Sequence, residues 1–254
     1  MGALVIVATP IGNLSDISPR ALDALRPADL VACEDTRQSL KLLNHFGIQK
    51  PLVSYHDFNE EKKASELGEK IRGGSTIALV SDAGTPGISD PGYRLVRYCR
   101  EHGLTVLSIP GPNAAVAALA ASGLPSDEFF FVGFLPPKKS ARREKIESLR
   151  SVPATLIVYE APHRIEATLT DLLEVLGDRE VCVARELTKI HEEFLFGKLS
   201  EVAGKVKALG EFVVVVSGKP SNEQPAPELP LTREQVLKTL GISRNELYDL
   251  FFKK

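Results

Sequence analysis

The chain has 254 residues, 43% of them hydrophobic and 25% charged, enough to bury the core of one large domain or two small ones. Its formal net charge of -2 excludes a global attraction to polyanions, so a nucleic-acid partner must be met by a local basic patch, and no stretch reaches the ~20 apolar residues of a membrane helix. Cys33, Cys99 and Cys182 are odd in number and widely spaced, and the five histidines show no ligand spacing with them, which argues against a disulfide framework and against a metal site and favours a reducing cytoplasm.

Apolar runs and helical patterns alternate from the start. The pattern predicts strands at 3 to 8, 29 to 33, 52 to 54, 76 to 81 and 104 to 109, separated by helices near 18 to 26, 36 to 46, 60 to 72 and 92 to 102. Such alternation implies a mostly parallel sheet, whose ligands sit beyond the carboxyl ends of the strands. A small-residue helix at 113 to 122 follows, and Gly123-Leu124-Pro125-Ser126-Asp127 breaks the rhythm, so the boundary between two α/β domains is placed there, giving 1–122 and 123–218. The second half predicts a strand from Phe129, then strands near 154 to 159, 180 to 185, 191 to 197 and 211 to 217, with helices near 140 to 150, 162 to 176 and 199 to 208. Two of these strands are consecutive, which predicts a mixed sheet. Four prolines between 219 and 230 read as a semi-rigid linker, and Thr232 with Gln235 and Ser243 with Glu246 predict a tail of two short helices at 231–254.

The most informative stretch is Ser81-Asp-Ala-Gly-Thr-Pro-Gly-Ile-Ser-Asp-Pro-Gly92, directly after the apolar run Ile77 to Val80. Glycine and proline bring backbone close to a ligand, while two aspartates disfavour phosphate and suit hydroxyls, an amine or a positive charge. Pro10 to Leu14 and Pro110 to Ala114 supply two more tight strand-end loops, and the helix start at the third has amides suited to an anion such as an α-carboxylate. Other constellations admit plainer readings beside functional ones. Asp35 or Thr36 of Glu34-Asp-Thr-Arg37 caps the next helix, with Glu34 and Arg37 left to position a substrate. Lys138, Lys139, Arg142 and Arg143, on a helix whose Ile146 and Leu149 pack inward, form either a solvated face or a seat for a phosphate backbone. Tyr159-Glu-Ala-Pro-His-Arg164 leads from a strand into a helix with Pro162 in its first turn, and Arg164 is a candidate phosphate ligand. Arg185 to Lys189 reads most simply as a cross-strand ion pair.

Taken together, Thr9-Pro-Ile-Gly-Asn13, Cys33 to Arg37, Ser81 to Gly92 and Pro110-Gly-Pro112 resemble the tetrapyrrole (corrin/porphyrin) methylases, and Tyr159 to Arg164 with Ala184 to Lys189 resemble the branch of that family that methylates ribosomal RNA. The resemblance runs from about residue 4 to residue 217. It implies two α/β domains with S-adenosylmethionine in the cleft between them, a homodimer, and methyl transfer to the ribose 2'-oxygen of a cytidine in 16S ribosomal RNA of the small subunit. It further implies that Pro10, Asp82, Ala83, Gly84, Pro86, Ser89, Asp90, Pro112, Ala114, Tyr159 and Leu187 surround the cofactor. Candidate bases for the hydroxyl proton are Glu160, His163, Asp35 and Glu34. Two rivals stay open: a methylase of the same fold acting on a tetrapyrrole or corrinoid precursor, and an RNA-binding module without catalysis.

Overall fold

Each strand of the first half is a short, mainly apolar run of three to five residues, and helical stretches alternate with these runs. In the computed structural model, which describes residues 2–220, these become β1 (Ala3–Val7), α1 (Pro19–Leu25), β2 (Leu30–Cys33), α2 (Thr36–His45), β3 (Leu52–Ser54), α3 (Glu60–Arg72), β4 (Thr76–Leu79), α4 (Tyr93–Glu101) and β5 (Thr105–Ile109). Ser18 caps α1 with Pro19 at its first position, and Asp35 caps α2. The five strands pair in parallel in the order β3-β2-β4-β1-β5. Alternation along β1 decides what each face meets: Val5 and Val7 join Leu25, Val31 and Leu43 on one side, while Leu4 joins Leu67, Ile71 and Leu95 on the other. Cover on both faces explains why the central strands β1, β2 and β4 are almost wholly apolar, whereas the edge strand β5 carries Thr105 and Ser108 and is largely exposed.

The second half forms α5 (Ala114–Ser122), β6 (Phe129–Phe134), α6 (Lys139–Ser148), β7 (Thr155–Glu160), α7 (Ile165–Leu176), β8 (Glu180–Arg185), β9 (Glu193–Lys198), α8 (Leu199–Val202) and β10 (Phe212–Val216). Strand order is β6-β7-β10-β8-β9, with β6 parallel to β7 and every other ladder antiparallel, so this sheet is mixed. All five residues of β10 are buried: Phe212, Val214 and Val216 pack toward Ile146 and Leu169, Val213 and Val215 toward Ala118 and Leu119 of α5. Thus α5, although it follows the first sheet in sequence, lays its small-residue face on the second. Both sheets belong to one compact unit that ends at Gly218.

Three departures from the sequence reading have local causes. Leu14–Asp16 forms a single turn of 3-10 helix, with Asn13 accepting from the Ser15 amide. The helix expected from 162 starts at Ile165, so Pro162 precedes it, because the Glu160 carboxylate accepts from the Ala161 amide and holds a turn there. The helix expected over 199 to 208 stops at Val202, shortly before Gly204. The linker beyond Pro220 and the tail at 231–254 lie outside the described residues. All three cysteines are buried and free, and among the described residues no helix is long and apolar enough to cross a membrane.

Candidate active cleft

The strand-end loops of the first sheet are tied to one another by backbone. Thr9 and Gly84 exchange two hydrogen bonds, the Thr9 amide donating at 2.8 Å and the Gly84 amide at 3.0 Å, and the Thr85 hydroxyl donates to the Pro112 carbonyl at 3.1 Å. The second sheet closes on them from the other side. The Asn13 amide donates to Thr188 Oγ1 at 3.0 Å, and the Ala115 amide donates to the Tyr159 hydroxyl oxygen at 3.1 Å. Gly12 is required where the two sides meet, since a Cβ there would lie 2.5 Å from Lys189 Cγ and 2.9 Å from the Leu187 carbonyl.

Between these loops lies a cleft of about 420 Å³. Asp82, Ala83, Gly84, Ser89 and Asp90 line it from the glycine-rich loop, Ala114 from α5, and Tyr159 and Leu187 from the second sheet. Of the residues singled out for the cofactor, Pro10, Pro86 and Pro112 do not line it; their neighbours Ile11, Thr85 and Asn113 do. Phe134, Phe212 and Val213 also line it and carried no signal in the sequence beyond being apolar strand residues.

Asp35 holds the capping position the sequence offered it, while several other charged residues are not where the sequence reading put them. Asp35 caps α2 by accepting from the Arg37 amide and also takes the Arg37 guanidinium at 2.7 Å, which holds its carboxyl down at about 2. His163 is exposed and does not line the cleft. Glu160 is 2% exposed, its oxygens accepting from the Ala161 amide at 2.8 Å and the Thr168 hydroxyl at 2.6 Å and pairing with Arg164 Nε at 3.0 Å. It lines the cleft and at the same time anchors the β7–α7 turn, and Arg164, which also donates to the Leu135 carbonyl, is committed inward rather than to a phosphate. Arg142 does not face outward: it is 5% exposed and paired with Asp171 at 2.6 Å, because it sits four residues before Ile146 on the same inward stripe. Arg143 is engaged by Asp171 and Glu174, so of the four cations singled out there Lys138 and Lys139 are the exposed ones. Of the amides at the start of α5, Tyr159 takes that of Ala115 and the Asn113 side chain that of Val116, which leaves the expected anion seat to the amide of Ala114, a residue that lines the cleft.

What remains at the cleft is an excess of negative charge. Burial first, then the neighbouring Glu34 and Asp82, push the Asp90 carboxyl up to about 7. Burial likewise raises Glu34 and Asp82. The nearest guanidiniums are spent elsewhere, Arg37 on Asp35 and Arg164 on Glu160. Such a site favours a ligand that brings its own positive charge. The stability consequence has a definite sign. The folded-state pKa of Asp90 lies above its ordinary value, so the folded state loses stability as pH rises from about 4 to about 7, and the full penalty persists above that. Asp90→Asn is expected to stabilise the unliganded protein at pH 8 by about 1–2 kcal/mol, allowing for partial solvation, and to leave it unchanged near pH 4. Thermal melts at the two pH values check this; an increment independent of pH would sink it.

The family model of the Tetrapyrrole (Corrin/Porphyrin) Methylases matches residues 3–203. The chain is 52% identical over 227 residues to the Ribosomal RNA small subunit methyltransferase I of Halalkalibacterium halodurans, covering 88% of this chain and 78% of that protein. It is 47% identical to the protein of the same name from Synechocystis, covering 97% and 90%. Among solved structures, a diphthine synthase superposes with a TM-score of 0.66 at 19% identity over 85% of this chain and 90% of the other. A Thermus thermophilus uroporphyrin-III C-methyltransferase complexed with S-adenyl homocysteine superposes at 0.58 with 21% identity, over 85% and 97%.

Proposed function

The chain belongs to the tetrapyrrole (corrin/porphyrin) methylase family, and on that footing we propose that it transfers a methyl group from S-adenosylmethionine to the ribose 2'-oxygen of a cytidine in 16S ribosomal RNA of the small subunit. The observation that carries the donor is the cleft itself, where Asp82 and Asp90 stand without a cationic partner opposite the apolar Leu187 and Val213. S-adenosylmethionine supplies an electrophilic methyl group on a sulfonium cation, together with an amine, a ribose diol and a flat adenine. The residues present fit it: the two carboxylates suit the amine, the diol and the positive charge, and the apolar wall at Ile11, Leu187 and Val213 suits the adenine. Holding the acceptor oxygen in line with the methyl carbon in a cleft that excludes water supplies ~7–11 kcal/mol of the barrier reduction. Of the four candidate bases, Asp35 is held by Arg37, neither Glu34 nor His163 lines the cleft, and Glu160 lines it but is engaged by the Ala161 amide, Thr168 and Arg164, so the geometry singles out none of them.

The relatives' names support ribosomal RNA as the acceptor. We assign the phosphate contacts to Lys138 and Lys139, and association of two copies to apolar side chains left exposed, among them Leu107, Val116 and Phe129. Free, buried thiols suit a reducing cytoplasm.

The test is to incubate the protein with radiolabelled S-adenosylmethionine and small subunits lacking the modification, then to map the label. Label on a base or on protein overturns the 2'-oxygen assignment, label on an added tetrapyrrole favours the sister reading, and RNA capture without affinity for S-adenosylmethionine leaves only a binding module. Lys138→Glu with Lys139→Glu is expected to weaken subunit binding at least tenfold and to lower the salt slope by about 2, with donor affinity unchanged.

A further inference from the structure

We infer that Phe134 is the platform on which the acceptor nucleobase stacks; the inference rests on the RNA-methylating reading above and extends it to the base. Phe134 ends β6 and lines the cleft, yet it is 56% exposed, so a large part of its ring faces solvent. A cleft of about 420 Å³ is filled by one ligand of the donor's size. A macromolecular acceptor therefore has to dock at the rim, where Phe134 stands.

The fold departs from a regular strand to put this ring there. Along β6, Phe131 pairs with Ile157 while Gly133 pairs with Val158, so Val132 is an extra residue in a β-bulge. In a regular strand, side chains three apart point to opposite faces. The inserted residue cancels that alternation, and both Phe131 and Phe134 meet Tyr159 edge to face, with ring centroids 5.1 and 5.6 Å away. Gly133 has φ +71, and a Cβ on it would lie 3.1 Å from Ser89 Oγ, so the bulge both needs glycine and rests on the glycine-rich loop. Tyr159 is itself fixed by the Ala115 amide at its hydroxyl. Phe134 is thus packed against the Tyr159 ring on one side while more than half of it stays open to solvent.

Beyond Phe134 the chain turns through Leu135, Pro136 and Pro137 to the exposed Lys138 and Lys139. An aromatic face beside exposed cations suits a single-stranded or extruded nucleotide, whose base stacks while its neighbouring phosphates are neutralised. This predicts that the target cytidine leaves its own stack to be methylated.

The experiment compares wild type with Phe134→Leu, Phe134→Ala and Phe134→Trp, using unmodified small subunits as acceptor and calorimetry for S-adenosylmethionine affinity. Leu and Ala are expected to lower kcat/KM for the subunit roughly 10- to 100-fold while donor affinity falls by less than about threefold, and Trp is expected to restore kcat/KM to within about threefold of wild type. Phe134→Leu matching wild type, or Phe134→Ala losing donor affinity in step with transfer, overturns the inference alone. Wild type placing no label on RNA overturns the acceptor reading, and this inference with it.

Discussion

Asp171→Ala is expected to cost the fold about 3–5 kcal/mol and to lower the melting temperature by roughly 6–20 °C. Asp171 Oδ2 takes both Nε and Nη2 of Arg142, at 2.7 and 2.6 Å, and Oδ1 takes Arg143 at 3.2 Å. With Arg142 and Asp171 both almost wholly buried, removing the carboxylate strands a guanidinium between α6 and α7 with no solvent to receive it. The pair itself is not expected to be a large net source of stability, because burying two charges costs about what their attraction returns. Arg142→Met with Asp171→Leu should therefore recover most of what Asp171→Ala loses. A loss below about 1 kcal/mol for the single variant in thermal or urea unfolding would mean that water reaches the pair. Since α6 begins at Lys139, loosening it is also expected to weaken subunit capture, whereas the double variant should keep it.

Glu160→Ala is expected to cost a similar amount, about 3–5 kcal/mol, for a related reason. The carboxylate is the common acceptor for the Ala161 amide, the Thr168 hydroxyl and Arg164, and it directly follows Tyr159, whose hydroxyl caps α5. Its loss leaves a mostly buried guanidinium and loosens the turn that carries one wall of the cleft. Glu160→Gln separates an anchor from a base. As an anchor, the amide keeps some of the hydrogen bonds and loses the ion pair, so the melting temperature falls while turnover at a permissive temperature drops less than about tenfold. If Glu160 instead removed the acceptor's proton, Gln would lower kcat by about 100-fold or more while sparing stability. Kinetics and melts on the same preparation decide between them.

The glycine-rich loop shows how far local pattern reaches. Its two aspartates, its position after an apolar run and the tight loops at 9 to 13 and 110 to 114 pointed to one edge of one sheet, and the Thr9–Gly84 and Thr85–Pro112 bonds bring those loops together there. Which residue of each loop lines the cleft was not legible: Ile11, Thr85 and Asn113 do, and not the prolines beside them. Arg142 was legible in principle: its spacing to Ile146 and Leu149 is that of a single helical face, so its inward direction is written in the sequence. What neutralises it is not, because Asp171 lies 29 residues away on another helix.

The sequence by itself determined the order and type of the elements, the parallel character of the first sheet and the mixed character of the second, because these follow from spacings of two to four residues and from turn residues adjacent to them. Tertiary structure alone decided several of the pairings that leave negative charge facing the cleft, since Arg142 finds Asp171, Arg164 finds the Leu135 carbonyl and the Ala115 amide finds Tyr159 across the fold. It also decided where Phe134 points, because one inserted residue in β6 reverses a strand's alternation without leaving a periodic signature. The physical reason is the same in each case: helix and strand geometry is fixed by neighbours in sequence, while burial and charge pairing are fixed by neighbours in space.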